Sequence, residues 1–242
     1  MGRDPATARD AAKEALTIAE LGRRFLDEYV PVHCKQSTAK DYRRAVEFLI
    51  NPELGKIRIP DLARADVSRF HHAFRGTPFQ ANRALSVLSK MMNLAEIWGL
   101  RLDGSNPCRH IKRYKEKKRK RYLNGDELER LGRVLEQVEA DGSAFPPVVA
   151  AIRLLIFTGA RLSEILHLRW EDVDLQKGLL LLPDSKTGAK QIFLNEAAIL
   201  LLRGIPRAED NLHVIQGAKT GNCLVNLQKP WRKIRTQANL PD

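Results

Sequence analysis

The stretch FTGARLSEILHLRWEDVDL, Phe157–Leu175, decides how this chain is read. The run before it, AIRLLIF (Ala151–Phe157), is almost continuously apolar, as a buried segment would be. Thr158-Gly159 then punctuates the chain. Leu162, Ile165, Leu166 and Arg169 follow at i, i+3, i+4 and i+7, which predicts a second helix with an apolar seam. Arg161 falls in the first turn of that helix, among mostly apolar neighbours. A guanidinium keeps its proton and is costly to bury without an anion. The anion is either a carboxylate of the chain, Glu164 or Asp172, or one brought from outside. The positive end of the helix dipole favours an anion at the same place.

Composition points outward. The 242 residues include 41 Lys or Arg against 29 Asp or Glu, a net charge of +12, which predicts a polyanionic partner such as nucleic acid. Cys34, Cys108 and Cys223 lie far apart, with no CxxC or Cys/His cluster, so neither a zinc site nor a disulfide framework is expected. Such thiols fit a reducing cytoplasm. No apolar run approaches the roughly 18–20 residues of a membrane span. The opening MGRDPATARDAAKEAL lacks the apolar core of a secretory leader. The length suffices for one or two domains with real cores.

Residues 1–16 read as a flexible lead-in. TIAE (Thr17–Glu20) is a capping-box pattern opening a helix to about Tyr29, which Pro31 should end. STAKDYRRAVEFLI (Ser37–Ile50) predicts a second helix capped by Ser37 or Thr38, with Ala45, Phe48 and Leu49 inward. Asp66 is expected to cap a short helix to Phe74. Thr77-Pro78 opens a long helix to about Trp98. Its apolar stripe is Leu85, Leu88, Met92 and Ala95. Arg83, Ser86, Lys90 and Asn93 line another face, either simply solvated or lying in a DNA major groove, which admits a helix. Residues 17–102 thus form a helical unit without strand alternation. In RHIKRYKEKKRKR (Arg109–Arg121), nine residues are Lys or Arg and one, Glu116, is acidic. Such a block should not pack; it reads as a linker, 103–122, able to follow a phosphate backbone and release counterions.

Beyond it, Asn124 and Glu127 cap another helix, and Ala144–Phe157 is a buried one. Three strand-like runs come next, near Val173–Leu175, Leu179–Pro183 and Gln191–Leu194, separated by the turns QKG and DSKTGA. NEAAILLLRGI and LQKPWRKIRTQANL return to helix. The expected fold class is mainly α with a small antiparallel β-sheet. Lys186 sits at the tip of the second hairpin. A tip leaves a lysine in solvent or holds its ammonium over a groove, and lysine suits proton donation when its pKa is lowered.

TGARLSEILHLRWEDVDL resembles the first arginine box of the tyrosine recombinases, also called phage integrases. LPDSKTGAKQIFL resembles their catalytic-domain β-hairpin with its lysine. The small helical domain and basic hinge are similar to theirs as well, so the resemblance spans about 17–242. It implies a clamp around double-stranded DNA, made of a helical core-binding domain (17–102), the basic linker (103–122) and a mostly helical catalytic domain, partial here (123–242). Family members cut DNA without metal or nucleotide cofactor, through a phosphotyrosine, and assemble with other protomers. Arg161 would be the first of two arginines on the scissile phosphate, Lys186 the acid for the leaving 5′-oxygen, and Glu164 a support orienting Arg161. A fork of N–H donors meets a phosphodiester gaining negative charge well. Expected duplex contacts are Thr38, Lys40, Asn82, Arg83 and Lys90, with Lys112, Arg113, Lys115, Lys117, Lys118, Arg119, Lys120 and Arg121 of the hinge. Neither a membrane nor a small-molecule substrate is expected, and the setting is a bacterial cytoplasm and a mobile element.

The family's His-x-x-Arg box, its later His or Trp and its nucleophilic Tyr have no counterpart after the hairpin. His213 is the one histidine after Lys186, without an Arg three residues on; His72-x-x-Arg75 and His110-x-x-Arg113 precede Arg161. Tyr29, Tyr42, Tyr114 and Tyr122 precede it too. The expectation is a C-terminally truncated recombinase that binds DNA without cleaving it alone. Its missing helices would leave apolar faces of the Arg161 helix and the last helix uncovered. The alternative is a non-catalytic duplex-DNA-binding protein derived from a recombinase. A third reading, an RNA or general polyanion binder, is separated by the deep, narrow groove of A-form RNA, which excludes a recognition helix.

Overall fold

The computed structural model describes residues 15–117, 121–185 and 188–241. Lys118, Arg119, Lys120 and Lys186 lie outside the described residues, as do 1–14 of the expected lead-in. The chain divides into two units, Met1–Arg119 and Lys120–Asp242, each around its own apolar core.

In the first unit Thr17 Oγ1 accepts the Glu20 N–H while the Glu20 carboxylate accepts the Thr17 N–H at 2.7 Å, the reciprocal cap its spacing predicts. Helix α1 (Ile18–Arg24) then runs on through a π-helical turn, Phe25–Tyr29, into Val30–His33. Pro31, expected to end the helix, does not. Proline lacks the N–H and its ring crowds the carbonyl four residues earlier. The wide turn just before it, closed by Val30 N–H donating to Phe25 O, makes room for the ring. Helix α2 (Gln36–Ala45) repeats the device: π-helical Val46–Ile50, then Asn51–Leu54 with Pro52. Because α2 starts after Lys35, Ser37 and Thr38 lie inside its first turn and are not its cap. The extra residue in the π turn also rotates the apolar stripe onto Val46 and Ile50. Phe48, expected inward, is 70% exposed.

Helix α3 (Arg64–Ala73) follows Ala63; Asp66 is its third residue rather than its cap, and accepts the Ala63 N–H at 3.0 Å. Helix α4 (Pro78–Ile97) begins on its proline and buries Leu85, Leu88, Met92 and Ala95 as expected. Gly22 of α1 marks a close crossing: a Cβ there would come within 2.7 Å of Val46 Cγ1. Val46 is buried and β-branched, so it has no other rotamer to swing into. Gly22→Ala is therefore expected to cost about 1–3 kcal/mol of first-unit stability, against alanine's better helix propensity. Urea unfolding followed through Trp98 measures it.

Part of the expected linker packs on this unit. Cys108 is buried, and Ile111 lies against the same core. Cys108, Ile111 and Tyr114 recur every third residue, which supplies an inward face among the cations. Burial pushes the Cys108 thiol up to about 12, so it is not a reactive thiolate.

In the second unit the Asn124 side chain accepts the Glu127 N–H at 2.9 Å and Glu127 returns the bond, opening α5 (Gly125–Ala140). Helix α6 (Pro146–Thr158) stops at Gly159, whose φ of +60° is the left-handed helix terminus that glycine adopts most cheaply. A short α7 (Leu162–Leu166) follows. The expected helix thus ends before Arg169. The backbone there leaves the helix to pair with the 212–214 segment, through Trp170 N–H to Leu212 O at 3.0 Å and Val214 N–H to Leu168 O at 2.9 Å. The sheet is antiparallel in the order β1 (Val173–Asp174), β2 (Leu179–Ser185), β3 (Gly188–Phe193), with Leu180 opposite Ile192 and Leu182 opposite Lys190. Helix α8 (Glu196–Gly204) is capped by Asn195, and α9 (Gln228–Gln237) carries Pro230 in its first turn. The fold is mainly helical with one small antiparallel sheet, as expected.

Candidate functional site

The left-handed turn at Gly159 re-aims the backbone, so that Arg161 is the residue just before α7, with extended dihedrals, rather than a member of its first turn. Glu164, on α7, is the buried centre of a small ionic cluster, its side chain 6% exposed. It accepts the Arg161 N–H at 2.9 Å, Arg161 Nη1 at 2.7 Å and Lys190 Nζ at 3.1 Å. Lys190 arrives from β3 on the same strand face as buried Ile192, as alternation requires. The three side chains sum to +1. The carboxylate is inside, whereas the Arg161 and Lys190 side chains remain 46% and 34% exposed. A buried anion thus holds two half-exposed donors in place, and the outward face is cationic. Such a face suits a phosphate, to which guanidinium and ammonium groups donate charge-assisted hydrogen bonds.

His213 lies on the segment that pairs with Leu168–Trp170. Burial, then the Arg169 cation and His167, hold its imidazole below the ordinary value. Its Nδ1 is 3.2 Å from Asn211 Oδ1. A folded value below the unfolded one means the unfolded chain binds more protons, so stability falls as pH drops below the unfolded value of about 6.5. The second unit's urea midpoint, read through Trp170 and Trp231, is expected to decline between about pH 7 and 5.5, and His213→Asn to flatten that decline.

In the first unit the expected contact residues divide. Lys40 is exposed on α2, and Thr38 of the same helix is half-buried. Arg83 of α4 lies 3.4 Å from Asp41 and over the Tyr42 ring; Lys90 Nζ stands 4.6 Å over the Tyr29 ring. Both fasten α4 to its neighbours. Asn82 is a correction: expected to face a duplex, it is 4% exposed and bonded inside the unit. The signal was in the spacing, since Asn82 stands three residues before Leu85 on the buried stripe. Lys112, Arg113, Lys115 and Lys117 are exposed, and no carboxylate pairs with them among the described residues. Arg121 pairs with Glu127.

Sequence reasoning missed Lys190, whose two-residue offset from Ile192 places it inward, and Asn106, a buried polar anchor of the tract. Among the described residues no group of His, Cys, Asp or Glu could hold a metal ion, and no helix is long and apolar enough to cross a membrane.

Residues 121–237 match the model of the phage integrase family. The shufflon-specific DNA recombinase of Escherichia coli is 27% identical over 206 residues, covering 78% of this chain and 50% of that protein. Prophage integrase IntZ of Escherichia coli is 25% identical over 202 residues, covering 81% and 49%. Among solved structures, lambda integrase in a tetramer bound to a Holliday junction matches with a TM-score of 0.78 at 19% identity, covering 100% of this chain and 72% of that one. The second unit thus matches the phage integrase family, the tyrosine recombinases, and the chain shares the fold of the solved integrases. It spans about half the length of the curated relatives it matches.

Proposed function

We propose that this chain is the duplex-gripping and arginine-bearing part of a site-specific DNA recombinase of the tyrosine type, acting in integration or excision of a mobile element. The observation that carries the reading is the Arg161–Glu164–Lys190 cluster, in which a buried carboxylate holds two outward cations. Its relatives are named as a recombinase and an integrase, and a solved neighbour is bound to a DNA junction. Arg161 donates to non-bridging oxygens of the scissile phosphate. A tyrosine other than the four of this sequence would attack phosphorus as its phenoxide; the bond to the 5′-oxygen breaks, and Lys186 protonates that oxygen as it leaves. Glu164 sets the guanidinium in place. Thr38, Lys40, Arg83, Lys90 and the basic tract contact the duplex, and other recombinase protomers share the site. The core-binding role falls to the first unit and the catalytic role to the second.

All four tyrosines precede Arg161, whereas the family's nucleophile comes last in its motif order. The 242-residue chain alone is therefore expected to bind a nicked duplex without becoming covalently linked to it. A second reading, a non-catalytic duplex-binding protein derived from a recombinase, is supported by the exposed cations of the basic tract, with which no carboxylate pairs among the described residues. Arg161→Ala separates the two in a fluorescence-anisotropy titration followed by a denaturing gel. If Arg161 meets a phosphate, the variant binds about tenfold more weakly or worse, the cost of a lost charge-assisted hydrogen bond. Unchanged affinity favours the binder that uses only the first unit and the tract. A covalent band from this chain alone would contradict the assignment.

A further inference from the structure

Asn82 uses every donor and acceptor it has. Its Oδ1 lies 3.1 Å from His71 Nε2 and accepts the Tyr114 N–H at 3.0 Å; its Nδ2 donates to Tyr114 O at 2.9 Å and to Glu116 Oε1 at 2.8 Å. The two bonds to Tyr114 are those a neighbouring strand would make, so one side chain serves as a strand partner for one residue. The Tyr114 ring stacks on His71, with centroids 4.4 Å apart and planes 11° apart. A second buried amide fastens the approach: Asn106 Nδ2 donates to Asn93 Oδ1 at 2.7 Å and Ser89 O at 3.0 Å, and its N–H donates to Glu96 at 2.6 Å. Residues 106–116 are thereby tacked to α4 at both ends.

We infer that Asn82 is a positioning residue that holds Arg113 and Lys115 outward as a pre-ordered pair of phosphate contacts. This rests on the duplex-binding reading above. Tyr114 points in, so the residues on either side of it point away, and both are exposed. Glu116, the one acid of Arg109–Arg121, is tied to Asn82 rather than to either cation. Among the described residues no carboxylate pairs with Arg113 or Lys115. A like-charge run in solution would have to lose backbone and side-chain freedom on binding; a latched one has already lost much of it.

The test compares the full 242-residue chain with Asn82→Ala on a fluorescein-labelled duplex of arbitrary sequence, and times trypsin cleavage after Arg113 and Lys115. The variant is expected to be cut about tenfold faster, as an unlatched segment opens more often. Its slope of log affinity against log salt should flatten by roughly 1.8, about 0.9 for each of two phosphate contacts, although no charge has changed. In an Arg113→Gln/Lys115→Gln background, Asn82→Ala should cost no further affinity. A merely structural role would leave the slope intact and weaken binding equally in both backgrounds, which overturns the proposal. Should Asn82→Ala fail to fold, Tyr114→Pro deletes the latched N–H and the ring without touching α4, and the same outcomes apply. If the wild-type chain shows no saturable duplex binding at any salt, the functional reading itself falls and the positioning role with it. If the wild type binds and the unlatched variants bind identically, the positioning role alone falls.

Discussion

Replacing Lys112, Arg113, Lys115 and Lys117 together by glutamine is expected to weaken duplex binding about a hundredfold at moderate salt and to flatten the salt dependence by roughly 3.6 units of slope. Each cation that neutralises a phosphate releases condensed counterions, worth about 0.9 in slope. The four are exposed, no carboxylate pairs with them among the described residues, and the tract that carries them is packed on the first unit as far as Tyr114. The loss should be similar for unrelated DNA sequences, because phosphate contacts position a protein without reading bases. Anisotropy titrations between about 50 and 200 mM salt measure it. An unchanged slope would remove the tract from the interface.

Glu164→Ala is expected to be the most damaging single substitution in the second unit. It deletes the acceptor of three donors at once, and it leaves Arg161 and Lys190 as neighbouring like charges. Removing one partner of a fully buried pair costs about 3–5 kcal/mol. Here both cations can rehydrate, being a third to half exposed, so a stability loss of about 2 kcal/mol is expected, including roughly 1 kcal/mol for the lost bond at the start of α7. Duplex affinity should fall with it, as Arg161 loses its fixed direction. Glu164→Gln keeps an acceptor for the Arg161 N–H and should recover part of the stability but little of the affinity. Urea unfolding through Trp170 and Trp231, with anisotropy on the same samples, separates the two effects. A Gln variant indistinguishable from wild type in affinity would mean that the charge on Glu164 does not orient Arg161.

Local chemistry was legible in the sequence and long-range polar chemistry was not. The caps at Thr17/Glu20 and Asn124/Glu127 close within three residues, so their spacing suffices. The start of α4 at Thr77-Pro78 and the three strands were readable for the same reason. Pro31 misled, because the π turn before it removes the clash that normally stops a helix, and nothing local announces that turn. Phe48 went outward for the same reason. Arg161 and Glu164 were readable as a pair three residues apart. Lys190, 26 residues from Glu164, becomes its partner only once β3 is laid beside β2. Asn82 was placed on the wrong face although its spacing from Leu85 was visible. Its partners Tyr114 and Glu116 lie 32 and 34 residues on, inside a run whose charge argued against packing.

Duplex binding is decided by one titration series: the 242-residue chain against duplex DNA and duplex RNA of the same sequence and length, at rising salt. Saturable binding that weakens steeply with salt and favours DNA is expected, because under the proposed function a helix of the first unit would enter the B-form major groove, which the deep, narrow A-form groove excludes. Equal affinity for the two duplexes, or binding indifferent to salt, would contradict it.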